Sequence, residues 1–354
     1  EWLHYIGLPA GLEEIGDQAF MDSGLREIVF PSANVHIGSG AFSGTEILRV
    51  TLPEGMTSVP GYMFSGAETL EEVVLPSTVQ SIGNYAFNKT ALRQIELPAG
   101  LRSIGDYAFD ETALRQIELP AGVQEIGSFA FSFTELESVS LPAGLQSLGS
   151  NAFYHCEKLA SVSAANPDTR YGTGCFEDTL FFTEGKTAER GAIYLGNSLI
   201  ALHGNYDTVE IKYGTTHIAR DLTSETLRVL KIPVTAEIPY LSGAYLPALH
   251  EVWLGEAPAE MEVSLNMNNP INFYLDAEEL LVHVPKRFTY GYWALEKNVV
   301  ICYGGTADEF AQHADVQNYP SLKDKIFFFD GSGTAVGNAW HYGESGEMLL
   351  VRGV

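Results

Sequence analysis

The chain holds 354 residues, with 45 Asp and Glu against 20 Lys and Arg and a formal net charge of −25 at pH 7. Such an acidic balance repels phosphate backbones and anionic lipid surfaces, which argues against a nucleic acid or membrane-surface partner. The sequence contains no run of 18 or more apolar residues, so no segment reads as a spanning helix.

In chain order, the first element is already part of a repeat. Leu3, Ile6, Leu8 and Pro9 recur as Leu25, Ile28, Phe30 and Pro31. This implies that Glu1 is a cut end, with further repeats and a signal peptide upstream. A Leu-Pro pair or its equivalent then falls at Leu8-Pro9, Phe30-Pro31, Leu52-Pro53, Leu75-Pro76, Leu97-Pro98, Leu119-Pro120 and Leu141-Pro142. A second pair keeps the same step: Ala19-Phe20, Ala41-Phe42, Met63-Phe64, Ala86-Phe87, Ala108-Phe109, Ala130-Phe131, Ala152-Phe153 and Cys175-Phe176. The ten residues ALRQIELPAG stand at 91–100 and again, letter for letter, at 113–122. A fixed period of this length marks a solenoid, whose single core can run along the whole array.

The unit 92–113 shows how one coil folds. Leu92, Ile95 and Leu97 alternate with polar Gln94 and Glu96, the pattern of a short strand with one buried face, and Pro98 ends it. Leu101, Ile104, Ala108 and Phe109 add further apolar positions, more than one coil can bury alone. Stacked coils bury them, with successive strands paired in parallel about 4.8 Å apart. Gly16, Gly38, Gly83, Gly105, Gly127 and Gly149 follow the Ile of each coil, but Pro60 holds that place once. Pro cannot take a positive φ, so close backbone approach is the expected role of these glycines. The repeat lengthens to 23 residues between Phe64 and Leu70 and between Phe153 and Leu159, which predicts an exposed turn there.

The pattern L-P-x-x-L-x-x-I-G-x-x-A-F-x-x-x-x-L-x-x-I-x-L, kept through residue 164, resembles the BspA-like bacterial leucine-rich repeats. The resemblance implies a repeat solenoid of leucine-rich-repeat type, on a cell-surface or secreted protein that is not an enzyme. The partner it implies is a host or microbial extracellular protein or glycan, with no cofactor.

Past the regular repeats of 1–164 the period weakens. Residues 165–206 read as an irregular hairpin insertion with a turn near Glu184-Gly185. Family members carry a similar Y-L-G-N hairpin. Residues 207–303 read as degenerate leucine-rich repeats, with TVEIKYGTTHIARDL and LRVLKIP matching the strand and the stretch after it. Residues 304–354 resemble an α+β C-terminal cap, opened by a helix that Thr306 and Glu309 would cap.

Motifs for chemistry are sparse. GSGAFSG at 38–44 has the glycines of a phosphate loop but lies within the repeat, without the strand-loop-helix context. Cys156 sits at a turn position held elsewhere by Thr90, Thr112 and Thr134, Cys175 replaces the Ala of the pair, and Cys302 lies in an apolar strand, so each reads as a small core or turn residue. Nine scattered His show no zinc spacing. FFDGSGT at 328–334 has the composition of a turn and lacks the carboxylates of a calcium loop. No catalytic residue and no metal ligand is nominated.

The candidate binding residues therefore come from coil position. Outward strand positions line up as Glu27, Arg49, Glu72, Gln94, Gln116 and Ser138, and two residues on they include Glu96 and Glu118. A second ladder, Tyr62, Tyr85, Tyr107 and Phe129, precedes the Ala of each pair. Extended faces of this kind are what solenoids use to bind, against the plain alternatives of a solvated sheet face and of rings that merely stack. The leading expectation is adhesion to a macromolecule. A passive stalk and a glycan-binding module are the alternatives, and a hydrolase site in 165–206 is the enzymatic rival. Oligomeric state is left open.

Overall fold

The structure is a computed structural model. It describes residues 4–31, 35–183, 188–189, 191–202, 204–219, 222–233, 235–236, 241–242 and 246–256, and past these only strands within 264–351. The chain divides into two compact units, Glu1–Thr187 and Ala188–Val354.

The first unit is a solenoid of parallel coils. Its longest sheet has six strands, one per coil, at Ser58–Val59, Ser81–Ile82, Ser103–Ile104, Glu125–Ile126, Ser147–Leu148 and Arg170–Tyr171. These lie on the Ile just before the conserved glycine position. The strand expected at L-x-x-I-x-L forms only in parallel pairs: Tyr5–Gly7 with Glu27–Val29, Arg49–Thr51 with Glu72–Val74, and Ser138–Leu141 with Ser161–Ala164. At 94–97 and 116–119, inside the two identical copies, the alternating burial is present but no strand pairing forms.

Cross-coil side chains differ between the two cases, although charge alone does not set the pairing, since Glu27–Val29 and Arg49–Thr51 stand in separate sheets. Where strands pair, Arg49 meets Glu72 at 3.4 Å and Ser163 donates to Ser140 at 3.1 Å. Identical copies instead stack like on like, Arg93 over Arg115 and Glu96 over Glu118. Like charges facing each other across strands are destabilising.

The Ala-Phe segment forms a second hydrogen-bonded ladder that the sequence did not announce. Alternate N–H groups donate to the next coil, as from Tyr85 to Asp106 O, Phe87 to Ala108 O and Lys89 to Asp110 O, at 2.8 to 2.9 Å. The N–H groups between them close local turns, as from Ala86 to Gly83 O. This alternation requires left-handed backbone twice per coil. Gln18, Tyr62, Tyr85, Tyr107, Phe129 and Asn151 take the first place, and Asp22, Lys89, Glu111, Phe133, His155 and Asp178 the second, all with φ between 54° and 59°. Gly40 and Gly174 share the first column, and Gly44 and Gly66 the second.

Behind this ladder lies the core. Phe20, Phe42, Phe64, Phe87, Phe109, Phe131, Phe153 and Phe176 stack ring on ring at 5.3 to 5.9 Å, within 18° of parallel. Leu92, Leu101, Ile104 and Ala108 and their equivalents bury beside them. Thr45, Thr90, Thr112 and Thr179, all buried, donate to the carbonyl of the Phe three residues before, at 2.6 to 2.9 Å. Where the repeat lengthens, Glu68, Thr69, Glu157 and Lys158 lie in turns between buried flanks, and all four are exposed, as expected.

The glycine after the Ile is a contact residue, as expected. A Cβ on Gly127 would stand 2.5 Å from Asp106 N and 2.6 Å from Gly105 C in the coil before. Gly38, Gly83, Gly105 and Gly149 meet the previous coil as closely, whereas Gly16, in the first of these coils, has nothing within 4 Å.

One buried polar row crosses coils. Asn88 Nδ2 donates to Asp110 Oδ2 at 3.0 Å, and Ser132 Oγ donates to Asp110 Oδ1. Burial raises the Asp110 carboxyl above the ordinary Asp value, and nearby Glu111 adds to the rise, while Ser132, Lys89 and Asn88 oppose it.

In the second unit, Ala192–Leu195 and Ser198–Leu202 form an antiparallel hairpin about Gly196, whose φ is 60°. Ala188–Glu189 adds to one edge, and Ser198 and Leu199 pair in parallel with His217–Ile218. A separate sheet runs Thr208–Glu210, Val229–Pro233, Glu251–Glu256, Leu280–Val284, Val299–Tyr303, Ile326–Phe329, Ala339–Tyr342 and Met348–Val351. All neighbours are parallel except the last pair, which closes it antiparallel. Val209, Leu230 and Val252 share one register and are buried. The turn expected at Glu184-Gly185 and the helix expected after Thr306 lie outside the described residues.

Two stability measurements test this packing. Gly127→Ala forces a Cβ against backbone and is expected to lose about 1–3 kcal/mol in denaturant unfolding, while Gly16→Ala stays near wild type. Asp110→Asn removes the buried charge and keeps one oxygen for Asn88 Nδ2, while its NH2 can donate to the Ser132 hydroxyl, which has Phe129 O as its own acceptor. Because the folded carboxyl titrates above the unfolded one, ionising it costs stability once pH rises past the unfolded value of 3.8. The Asn variant is therefore expected to melt a few degrees above wild type at pH 7, with the gap closing as pH falls below 3.8.

Candidate functional site

Two ladders on the first unit answer to the sequence-derived residues. Strand alternation puts Ile95 and Ile117 inward and Gln94, Glu96, Gln116 and Glu118 outward, where all four are exposed. Glu27, Arg49, Glu72 and Ser138 occupy the equivalent coil positions and are exposed as well. Arg49 and Glu72 are engaged with each other at 3.4 Å. Gln94, Glu96, Gln116 and Glu118 make no hydrogen bond or ion pair with a described residue.

This face changes character along the array. At the first outward position Tyr5, Glu27, Arg49 and Glu72 lead to the two Gln and then to Ser138 and Ser161. Two residues on, Val29 and Val74 are exposed apolar side chains, followed by Glu96 and Glu118 and then by Ser140 and Ser163. The two identical copies thus repeat one unengaged acid-amide pair, and Glu27 is a further exposed acid on the same face.

The second ladder is real as a stack. Tyr62 and Tyr85 lie 4.7 Å apart and 8° from parallel, Tyr85 and Tyr107 4.6 Å and 7°, and Tyr107 and Phe129 4.7 Å and 5°. Face-to-face contact at this spacing covers both faces of Tyr85 and Tyr107 and leaves their edges outward. Burial raises the Tyr85 hydroxyl above its ordinary range, helped by the neighbouring Tyr107 and Tyr62. At Phe129 the stack turns, for Tyr154 meets it edge-on at 6.3 Å. Phe133, Tyr154 and His155 then form a small aromatic cluster. The sequence reading passed over that cluster, although Phe133 and His155 stand one coil apart in a column otherwise held by Gly and polar residues.

Nucleophiles and ligands are poorly placed for chemistry. Cys156 is buried, its Sγ donates to Phe131 O at 3.1 Å, and burial pushes its thiol up to about 11. Burial also raises the Cys175 thiol. Both are protonated, inert sulfhydryls at neutral pH. Cys302 lies in Val299–Tyr303, opposite His283 and Phe327. His155 is held between Glu157 at 3.1 Å and Asp178 at 3.2 Å. Among the described residues, no three His, Cys, Asp or Glu side chains converge as metal ligands, and no helix is long and apolar enough to cross a membrane.

Comparison with known proteins places this geometry. A leucine-rich repeat protein from Bacteroides ovatus is similar in structure, with a TM-score of 0.54 and 22% identity over 81% of this chain and 77% of that one. The Treponema pallidum leucine-rich repeat protein is 28% identical over 48% of this chain and 74% of its own, with a TM-score of 0.38. A leucine-rich cell surface protein from Faecalibacterium prausnitzii is 22% identical over 69% of this chain and 77% of its own, with a TM-score of 0.35. A search of curated proteins finds no match. The BspA type leucine rich repeat region is matched in six copies, over residues 2–109 and 80–190. With its stacked Phe column, its parallel coils and these six repeats, the chain belongs to the BspA-type leucine-rich repeat family.

Proposed function

We propose that this chain is a non-enzymatic binding scaffold of a secreted or cell-surface protein, and that it adheres to an extracellular protein or a host matrix component through the outward strand face. The observation that carries this reading is the row Gln94, Glu96, Gln116 and Glu118. All four are exposed and lack a partner among the described residues, and they repeat at the same position in two adjacent coils. A side chain that neither packs nor pairs adds little to stability, so its display on a regular scaffold suits recognition.

The family supports a scaffold rather than a catalyst, and the likeness to a cell surface protein of Faecalibacterium supports the location. Burial of Cys156 and Cys175 argues against these two as nucleophiles. The acidic face favours a partner with basic patches, drawn by long-range attraction that weakens with salt.

The test is binding of the purified chain to immobilised extracellular matrix proteins, mucins and glycans. A variant carrying Gln94→Lys, Glu96→Lys, Gln116→Lys and Glu118→Lys is run beside it. Saturable binding that falls at least about tenfold in the variant, at unchanged melting temperature, is the expected result. Equal binding by both proteins removes the strand face from recognition. No binding by either favours a passive stalk.

A further inference from the structure

The stacked ladder of Tyr62, Tyr85 and Tyr107 is closed at one end and open at the other. Tyr85 has a ring on each side, and the far end is covered by the edge of Tyr154 against Phe129. Tyr62 has a ring on one side only. The coil before it puts Gly40 in the ladder position, in the same left-handed conformation, with φ 63° against 59° for Tyr62. Tyr62 is accordingly 47% exposed, while its stacked neighbours are half-buried. One coil further out stands Gln18, whose Cγ would lie 3.3 Å from a Cβ on Gly40, so that Gly40 sits between Gln18 and Tyr62. The ladder therefore lacks one rung, and the space is that of one planar group at the stacking distance of about 4.7 Å.

Charge selects the occupant. Glu13, Glu14, Asp17 and Asp22, all exposed, belong to the coil that carries Gln18. Asp17 uses Oδ1 to accept the Ser39 N–H at 2.7 Å, which holds its carboxylate against the Gly40 coil. The nearest cation in sequence, Arg26, is tied to Glu46 at 2.9 Å. A neutral ring would gain stacking alone. A planar cation gains stacking, attraction to the ring face and donors for the carboxylates, and guanidinium has all three.

We propose that the gap at Gly40, between Tyr62 and the Asp17–Asp22 turn, is a subsite for an arginine side chain of a basic protein partner. GSGAFSG at 38–44 then has a role that repeat geometry alone does not assign: Gly40 keeps the ring of Tyr62 open. The subsite lies on the turn row and stands independently of the strand face.

The experiment uses the full chain labelled with 3-fluorotyrosine and followed by fluorine NMR at low salt, with the Tyr62 signal assigned by its loss in Tyr62→Phe. The probes are acetyl-Gly-Arg-Gly-amide, its lysine and citrulline counterparts, and methyl β-glucoside. The expected result is a saturable shift of the Tyr62 signal with the arginine peptide, in the millimolar range for so small a ligand. The lysine peptide should bind several-fold more weakly, and the citrulline peptide and the glucoside should leave the signal in place. Gly40→Tyr supplies the absent rung in a conformation Tyr already adopts at this column, and it should weaken binding at least about tenfold. Asp17→Asn with Asp22→Asn should weaken it several-fold, and this variant carries the test if Gly40→Tyr misfolds.

No shift with the arginine peptide, or an equal shift with citrulline, overturns the assignment, and a shift with the glucoside alone makes the subsite one for sugars. The four-lysine strand-face variant should keep the Tyr62 shift, so failure of the strand face and failure of this subsite are read separately.

Discussion

The fold rests on the hydrogen bonds that alternate N–H groups of the Ala-Phe segment give to the next coil. Such a ladder needs left-handed residues at two fixed places in every coil, and for an L-residue with a side chain that conformation costs on the order of 1 kcal/mol. Twelve non-glycine residues accept it. The cost is offset because the same conformation brings each Phe ring onto the next and each Tyr of the outer ladder onto its neighbour. It also draws the backbones so close that a Cβ after the conserved Ile would collide with the coil before it.

Close coils raise a problem of polar satisfaction, since each turn buries carbonyls that no strand can pair. The Thr column answers it by donating to the Phe carbonyl within the same turn. Cys156 stands in that column but reaches across to the coil before, donating its Sγ proton to Phe131 O and lying 3.1 Å from Thr134 Oγ1, which makes its place a structural one. Asp110 is the exception, because its partners Asn88 and Ser132 satisfy its oxygens while leaving a carboxylate in poorly solvated surroundings. A buried charge with good hydrogen bonds still carries a desolvation cost.

Much of this was legible in the sequence, and the remainder was hidden for physical reasons. The Phe column, the close glycines and the exposed alternation at Gln94 and Glu96 follow from period and residue type alone. The left-handed positions do not, because Tyr, Gln, Lys, Glu, Phe, Asn, His and Asp fill them and glycine marks only four. The hint was the mixing of Gly40, Gly44, Gly66 and Gly174 into those columns. The strand was placed at L-x-x-I-x-L because alternation is a side-chain signal. Backbone pairing is a separate matter, and the longest sheet of the first unit instead formed at the Ile before the glycine, where small and polar residues precede it.

Exact repetition therefore acts in opposite senses inside and outside the coil. Inside, Phe over Phe and Leu over Leu improve the stack, because apolar surfaces attract their own kind. Outside, Glu96 over Glu118 brings like charges together while Arg115 turns to Glu135 at 3.0 Å, and the strand pairing seen between the coils of Arg49 and Glu72 is missing there. An array selected only for stability would alternate charge from coil to coil on its outer face. Two adjacent coils with the same ten letters keep the inner gain and accept the outer loss, and what they present is a repeated set of unengaged carboxylates and amides at one coil spacing. On the reading proposed above, a partner with basic groups at that spacing would relieve the repulsion between stacked Glu96 and Glu118 as it binds.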